Sequence, residues 1–187
     1  MKRRVICSGS GELDFFVFEV LYAGLLGLLL GSFVNMCIDR LPLQFWDDLR
    51  QRVMENPKLD ESVRSLLSDS RFTIAHPRRS FCFSCGKMIP WYDNLPVLSY
   101  LLLKGRCRFC DTEYGSRSAL VEAWHGVSYG VAAVFLGLSL DLALFALHCS
   151  LATLYTVVFF EQKKVPHFLH FWTLLLLAGA WTFFFLI

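Results

Sequence analysis

The sequence predicts an all-α membrane protein of about four transmembrane helices, with a small metal-pinned domain between the first two. Three observations support this class. Hydrophobic residues make up 55% of the 187 residues, which is more than an ordinary soluble domain contains. Four apolar stretches approach the ~20 residues needed to cross a hydrocarbon core. Two Cys-x-x-Cys pairs lie in the one long polar region.

The apolar stretches are predicted to be the transmembrane helices: Phe15–Ile38, Leu120–Leu140, Leu142–Phe160 and Phe168–Ile187. Residues 1–14 precede the first helix, and residues 120–187 hold the other three. Residues 39–119 between them are polar and charged, and form the single predicted soluble domain. The first stretch is too long for a signal peptide and no small-residue cleavage site follows it, so we expect it to be retained.

Basic residues near the helix ends set the predicted orientation. The 39–119 domain holds 13 of the 18 Lys and Arg residues, and Lys163 and Lys164 mark the connection between the third and fourth helices. Because cytoplasmic loops are enriched in Lys and Arg, we expect both regions in the cytoplasm. The basic run at residues 2–4 opposes this orientation, but it contains fewer charges.

Four cysteines carry the strongest chemical pattern: Cys82, Cys85, Cys107 and Cys110. Four thiolates at this spacing can close a tetrahedral shell around one Zn²⁺. Gly86, directly after the first pair, allows the tight turn that such a site needs. Cytoplasmic cysteines are expected to be thiols, and a filled shell leaves no position for substrate, so the predicted site (residues 82–110) is structural. Four unrelated buried cysteines are the alternative.

A small-residue face runs along the first helix, formed by Gly24, Gly27 and Gly31 and continued by Asn35. Small residues let helix backbones approach closely, and polar side chains can bond across helices. Two uses are open. The face can pack against another helix of this chain, or it can bind a helix of a partner protein.

A shorter apolar run, Val97–Leu103, lies inside the polar domain. It is too short to cross the bilayer, so we expect it at the membrane surface or against the first helix, with Trp91, Tyr92 and Tyr100 at headgroup depth. The lipid bilayer is therefore a predicted partner. Basic residues of the loop are interspersed with Asp and Glu, so nucleic acid is not predicted as a partner.

Two segments resemble a known family: GSFVNMCIDRLP at residues 31–42, and Cys82–Glu122 with its core WYDNLPVLSYLLLKGRCRFC. They are similar to the amino-terminal half of the type IV prepilin peptidases. These bacterial inner-membrane aspartyl proteases remove the leader from prepilins and type II secretion pseudopilins, and many also methylate the new amino terminus with S-adenosylmethionine. The resemblance implies the bacterial inner (cytoplasmic) membrane as location, and zinc on the four cysteines.

The resemblance also exposes a departure from the family. Its members place one catalytic aspartate in a motif resembling I-D-x-E followed by P-D, and the other in G-x-G-D. Here Phe159 and His167 stand at the first aspartate positions, and no second motif follows before Ile187. Glu122 and Glu161, near one membrane boundary, are the candidates for a substitute dyad. Neither matches an aspartate position of the family, so no catalytic residue is predicted.

We therefore expect a noncatalytic, degenerate and truncated prepilin-peptidase-like protein. It would be a zinc-stabilised scaffold or partner-binding subunit of a bacterial envelope machine, such as a type IV pilus or type II secretion system. The expected partner is another membrane protein, either a pilin-like segment or an envelope-complex subunit. The alternatives are a prepilin leader peptidase and S-adenosylmethionine-dependent N-methyltransferase, half of a split peptidase, and an eroded product without function. A glycine-rich nucleotide loop is not visible.

Overall fold

The computed structural model describes residues 10–57 and 59–175 of the chain, with side chains from residue 13 onward. A 3₁₀ turn at Trp91–Asn94 accompanies six helices that have both ends in that part of the chain: α1 Ser10–Phe45, α2 Asp47–Met54, α3 Glu61–Ser68, α4 Leu98–Leu102, α5 Arg117–Leu136 and α6 Leu140–Gln162. The same residues contain no β-strand beyond two isolated bridges. The all-α prediction is confirmed.

Three helices among the described residues are long and apolar enough to cross a membrane: Leu13–Phe45 in α1, Arg117–Leu136 and Leu140–Gln162. They correspond to the first three predicted spans. The fourth predicted span, Phe168–Ile187, extends into residues 176–187, which lie outside the described part. Residues 167–175 are helical.

Helix α1 continues beyond its predicted end at Ile38 and runs through Pro42 to Phe45. A proline lacks the N–H that would bond the carbonyl four residues earlier, so α1 forgoes one hydrogen bond in its last turn, at the Ile38 carbonyl oxygen. The Trp46 amide still donates to the Pro42 carbonyl oxygen, at an N···O distance of 3.0 Å. The chain then turns at Trp46, and α2 begins with two acidic residues, which suit the positive end of a helix dipole.

The glycine face of α1 packs directly on α5. A Cβ atom built on Gly31 would lie 2.8 Å from the Cα atom of Glu122, and one built on Gly27 would lie 2.8 Å from the carbonyl carbon of His125. Only glycine permits such an approach of two backbones. Where the structure describes it, α5 of the same chain packs on this face, which is the first of the two uses considered above; partner binding by Gly24, Gly27, Gly31 and Asn35 stays a prediction.

Two apolar clusters join the long helices. One lies near the residues that connect α1 to α5 (the loop domain), where Val34 and Ile38 of α1 meet Val121 of α5 and Val158 of α6. The other lies at the opposite end around Tyr129, whose hydroxyl donates to the Ala146 carbonyl oxygen over 2.8 Å. The outward faces of these helices stay apolar and exposed, as expected for helices surrounded by lipid.

The loop domain has its own small core and is fastened to α1 by one arginine. Leu43 of α1 packs with Val63 and Leu67 of α3. Arg40 is buried, and its guanidinium donates to three carbonyl oxygens of the 74–79 segment: Ile74 at 2.9 Å, Pro77 at 2.7 Å and Arg79 at 2.9 Å. These bonds hold the 74–79 segment against α1. The segment leads directly into residues 82–110, which contain both cysteine pairs and are called the cysteine module below.

Candidate metal centre and polar cavity

The two Cys-x-x-Cys pairs adopt the same local fold. In each pair, the backbone N–H of the first cysteine donates to the carbonyl oxygen of the residue five positions later. The Cys82 amide bonds Lys87 at 3.0 Å, and the Cys107 amide bonds Thr112 at 2.9 Å. The residue after the second cysteine of each pair has a left-handed backbone conformation, with φ of 67° at Gly86 and 57° at Asp111. Glycine and aspartate both tolerate this conformation. The turn predicted at Gly86 is confirmed, and Asp111 is its counterpart in the second pair.

The four sulfur atoms converge, with all four within 4.8 Å of one another. The Sγ atoms of Cys82 and Cys110 are 3.8 Å apart, which matches the separation of about 3.8 Å that follows from tetrahedral Zn–S bonds of about 2.3 Å. Hydrogen bonding with Thr112 lowers the pKa of the Cys110 thiol to about 6, whereas burial raises the pKa of the Cys85 thiol to about 12; a thiol that coordinates a metal loses its proton in either case. The cluster can therefore hold one metal ion.

Backbone and side-chain contacts brace this centre. The Ser84 amide donates to Cys82 Sγ over 3.4 Å, as expected for outer contacts that orient metal ligands. Arg108 forms a forked pair with Asp93, with both N–H···O distances 2.6 Å, and its hydrogen bonds hold the pKa of the Asp93 carboxyl below its usual value. Arg108 thus joins the second cysteine pair to the 3₁₀ turn.

A polar cavity of about 660 Å³ lies between the cysteine module and the adjoining ends of α1, α5 and α6. Asn35, Glu122 and Glu161 line it, together with Cys82. The structure therefore brings residues predicted for three different roles to one space. Residues 80–84 and 112–115, next to the cysteine cluster, form one part of its lining, and the helix ends form another.

The charged groups in the cavity are already paired. Arg117 of α5 donates through Nη2 to Asp39 of α1 and through Nη1 to both carboxylate oxygens of Glu161 at 3.1 Å. Glu122 instead accepts the backbone N–H of Val97 over 2.8 Å. Glu122 and Glu161, the candidates for a substitute dyad, thus bind different partners. Asn35 donates its side-chain amide to the Ser118 carbonyl oxygen over 2.8 Å.

Aromatic rings occupy the region where the resemblance places the first aspartates. Phe159 lies parallel to Tyr155, with the ring centroids 6.4 Å apart. Tyr155 in turn hydrogen-bonds His170 Nδ1 over 3.2 Å, and the His167 ring lies 6.4 Å from the His170 ring. These contacts pack the end of α6 against the helical segment at residues 167–175.

Sequence reasoning missed Asp39 and Arg117 as members of the site. Arg117 is 78 residues from Asp39 and 44 residues from Glu161 along the chain. A network between residues so far apart cannot be predicted from local sequence spacing. One signal was present: Asp39 directly follows a predicted membrane span, where ionisable groups are usually paired or functional.

Comparison with known proteins supports the resemblance. Residues 25–136 match the sequence profile of the family described as Bacterial Peptidase A24 N-terminal domain. A prepilin leader peptidase/N-methyltransferase of Burkholderia pseudomallei is 35% identical over 137 residues, covering 71% of this chain and 42% of that protein. The protein of the same description from Pseudomonas putida is 34% identical over 163 residues, covering 85% of this chain and 51% of that protein. No solved structure matches.

A third relative, the type 4 prepilin-like proteins leader peptide-processing enzyme of Escherichia coli, is 39% identical over 108 residues, covering 58% of this chain and 36% of that protein. This chain thus spans about half the length, or less, of the relatives it matches. The profile match covers more than half of the chain and includes all four cysteines. The chain therefore belongs to the type IV prepilin peptidase family and corresponds to its amino-terminal half.

Proposed function

We propose that these residues act as a noncatalytic membrane scaffold, stabilised by zinc, that holds a partner protein in a bacterial envelope machine. The carrying observation is the position of Arg117 between Asp39 and Glu161. The three side chains form an ion cluster near the ends of α1, α5 and α6. An aspartyl peptidase would need two free acids at this membrane boundary, and here both acids are paired.

The chemistry of aspartyl proteases explains why this matters. Such enzymes need two neighbouring carboxyl groups that share one proton, so that one can act as base and the other as acid. One guanidinium hydrogen-bonds both carboxylates, so their oxygens are already engaged and the two acids are not free to share a proton with each other. Glu122 is engaged by the Val97 amide, so it is not poised toward Glu161 either.

Zinc is the metal that the cysteine centre fits best. Four thiolates in tetrahedral positions are typical of structural zinc, and the six described cysteines are all free of disulfides, which agrees with a reducing compartment. We place the loop domain in the cytoplasm and the helices in the bacterial inner membrane. Bound zinc would hold the two cysteine turns together and so shape the wall of the cavity.

The proposed partner is inferred from the substrates that appear in the names of the relatives. Prepilins and prepilin-like proteins are the substrates in those names, and a pilin-like transmembrane segment or another subunit of a pilus or secretion complex is the proposed partner here. A scaffold that kept the module and the cavity without the dyad could bind such a segment and leave it uncut.

The test is cross-linking in native membranes, with a photoreactive residue placed at Ser84 on the cavity wall. We expect one membrane protein of a pilus or secretion system to be captured, and the capture to be lost in Cys107→Ser, which weakens the metal centre. Cys149→Ser, in α6 and outside the cluster, is the matched control. Absence of any cross-link to a membrane protein would contradict the scaffold role.

A second candidate rests on the cavity itself. Its volume of about 660 Å³ lies in the range of small-molecule sites, and the relatives are named as N-methyltransferases. The chain could then be a methyltransferase, or half of a split peptidase whose aspartates come from another chain. Calorimetric titration with S-adenosylmethionine separates this candidate from the scaffold, because only the methyltransferase requires saturable binding.

A further inference from the structure

The segment Trp91–Leu103, which connects the two cysteine pairs, presents large apolar side chains outward. Trp91 is 72% exposed, Leu101 is 65% exposed and Leu102 is 71% exposed. In a water-soluble loop this exposure would be costly, because each such side chain gains about 1.5–3 kcal/mol on burial. The segment thus forms an apolar surface on an otherwise charged domain.

The segment lies beside the apolar part of the membrane helices, beyond their charged ends. Val97 donates its backbone N–H to Glu122, which is five residues into α5 and so about 7.5 Å past Arg117 along the helix axis. Trp91 and Pro96 line a second cavity, of about 340 Å³, together with Leu29 and Phe33 of α1 on the membrane side and Arg78 and Arg79 of the loop.

Backbone bonding in this segment suits a medium without water. Within lipid, every N–H needs a partner inside the protein. Val97 has a φ of 58°, outside the helical region, and the Glu122 carboxylate takes up its N–H. The Ser99 amide donates to Leu95 over 3.1 Å and the Leu101 amide to Val97 over 3.1 Å. Proline at positions 90 and 96 brings no N–H at all.

The one acidic side chain within the segment is paired with an arginine outside it. Asp93 has a side chain only 6% exposed, and Arg108 pairs with both of its oxygens. The Arg108 guanidinium also lies 5.5 Å from the centroid of the Tyr92 ring. This clamp ties the segment to the second cysteine pair and leaves no unpaired carboxylate at Asp93.

We propose that Trp91–Leu103 is a membrane-inserted segment. It sits in the leaflet adjoining the cysteine module, with its leucines against acyl chains, and Glu122 is the positioning residue that anchors it. Lipid is the occupant because the exposed leucines continue the apolar outer surface of α1 and α5, where Phe33 and Leu120 are also exposed. A Trp at the edge of such a surface suits the membrane interface.

Quenching of tryptophan fluorescence by brominated lipid tests the insertion. The full chain would be reconstituted in phosphatidylcholine vesicles with acyl-chain bromines, after replacing Trp46, Trp91, Trp124, Trp172 and Trp181 by Phe and adding Leu101→Trp. Ser65→Trp in the same background, on the exposed face of α3, is the matched control. We expect severalfold stronger quenching by bromine at position 101, and stronger quenching by aqueous iodide at position 65.

Equal, weak bromine quenching at both positions, with iodide access at position 101, would overturn the proposal. So would protection of position 101 from both quenchers, which would mean that protein covers the segment. Glu122→Leu should lower bromine quenching at position 101, and Glu122→Gln, which keeps an oxygen acceptor, should restore it. Unchanged quenching in Glu122→Leu, with bound metal retained, would remove the anchoring role.

Discussion

Arg117 of α5 donates through one guanidinium nitrogen to both carboxylate oxygens of Glu161 of α6, at 3.1 Å each. Its other terminal nitrogen binds Asp39 of α1. One side chain thus connects the ends of all three described membrane helices at the wall of the polar cavity.

Replacing Arg117 should loosen the junction of the three helices. Arg117→Ala leaves two carboxylates facing each other without a cation, and because these groups are only about two-thirds buried, we expect a loss of about 1–3 kcal/mol, between the values for surface and buried pairs. Thermal unfolding in detergent measures the loss. Arg52→Ala, which breaks an exposed pair with Asp48, is the control and should change little. Equal effects would contradict a special role for Arg117.

Disrupting the cysteine cluster should unfold the loop domain without preventing membrane insertion. Cys107→Ser leaves three thiolates, and a structural zinc site can contribute ~10 kcal/mol or more. We expect one zinc per chain in the unmodified protein, much less in the variant, and rapid proteolysis between α1 and α5. Cys149→Ser should keep both metal and resistance. A Cys107→Ser protein with a full complement of zinc would refute the assignment.

Adding one methyl group at Gly27 should separate α1 from α5. Gly27→Ala places a Cβ atom 2.8 Å from the His125 carbonyl carbon, and relieving such overpacking typically costs about 1–3 kcal/mol. Gly115→Ala is the matched control, because nothing lies within 4 Å of the added atom. Thermal stability of the two variants in the same detergent makes the comparison, and equal stability would exclude the close helix contact.

Arg40 should be the strongest single tie between the loop domain and α1. Arg40→Ala leaves three carbonyl oxygens unpaired, and each charge-assisted hydrogen bond contributes about 1.5–3 kcal/mol. We expect new proteolytic cleavage within residues 73–81 while the membrane helices stay intact. The exposed neighbour Arg78 provides the control, since Arg78→Ala should keep the normal cleavage pattern. Identical digests of the two variants would disprove the tie.

Local pattern explains what could be predicted from this sequence. The cysteine turns depend on residues within six positions of each other, so the spacing of Cys82 and Cys85 with Gly86 was sufficient. The three described membrane-spanning helices could be predicted because each apolar stretch is long enough to cross a bilayer. The predicted span ends at Ile38, where Asp39 and Arg40 interrupt the apolar stretch, whereas α1 continues to Phe45 because helix length does not depend on apolar residues alone.

Long-range pairing explains what could not be predicted. Glu122 was considered with Glu161 because both lie near one boundary, yet its partner is the Val97 amide, 25 residues away in a loop. The sequence presents Arg117 only as one basic residue of the 39–119 domain, and the packing of α1, α5 and α6 on one another brings it to Asp39 and Glu161. Such contacts depend on how the helices meet, which periodicity does not specify.

The intact mass of a pilin precursor, after incubation with this chain in lipid nanodiscs and S-adenosylmethionine, tests the noncatalytic role most directly. The Pseudomonas putida relative serves as the positive control for processing. We predict that the precursor keeps its full mass with this chain. Loss of the leader, abolished by Glu122→Gln or Glu161→Gln, would contradict the account.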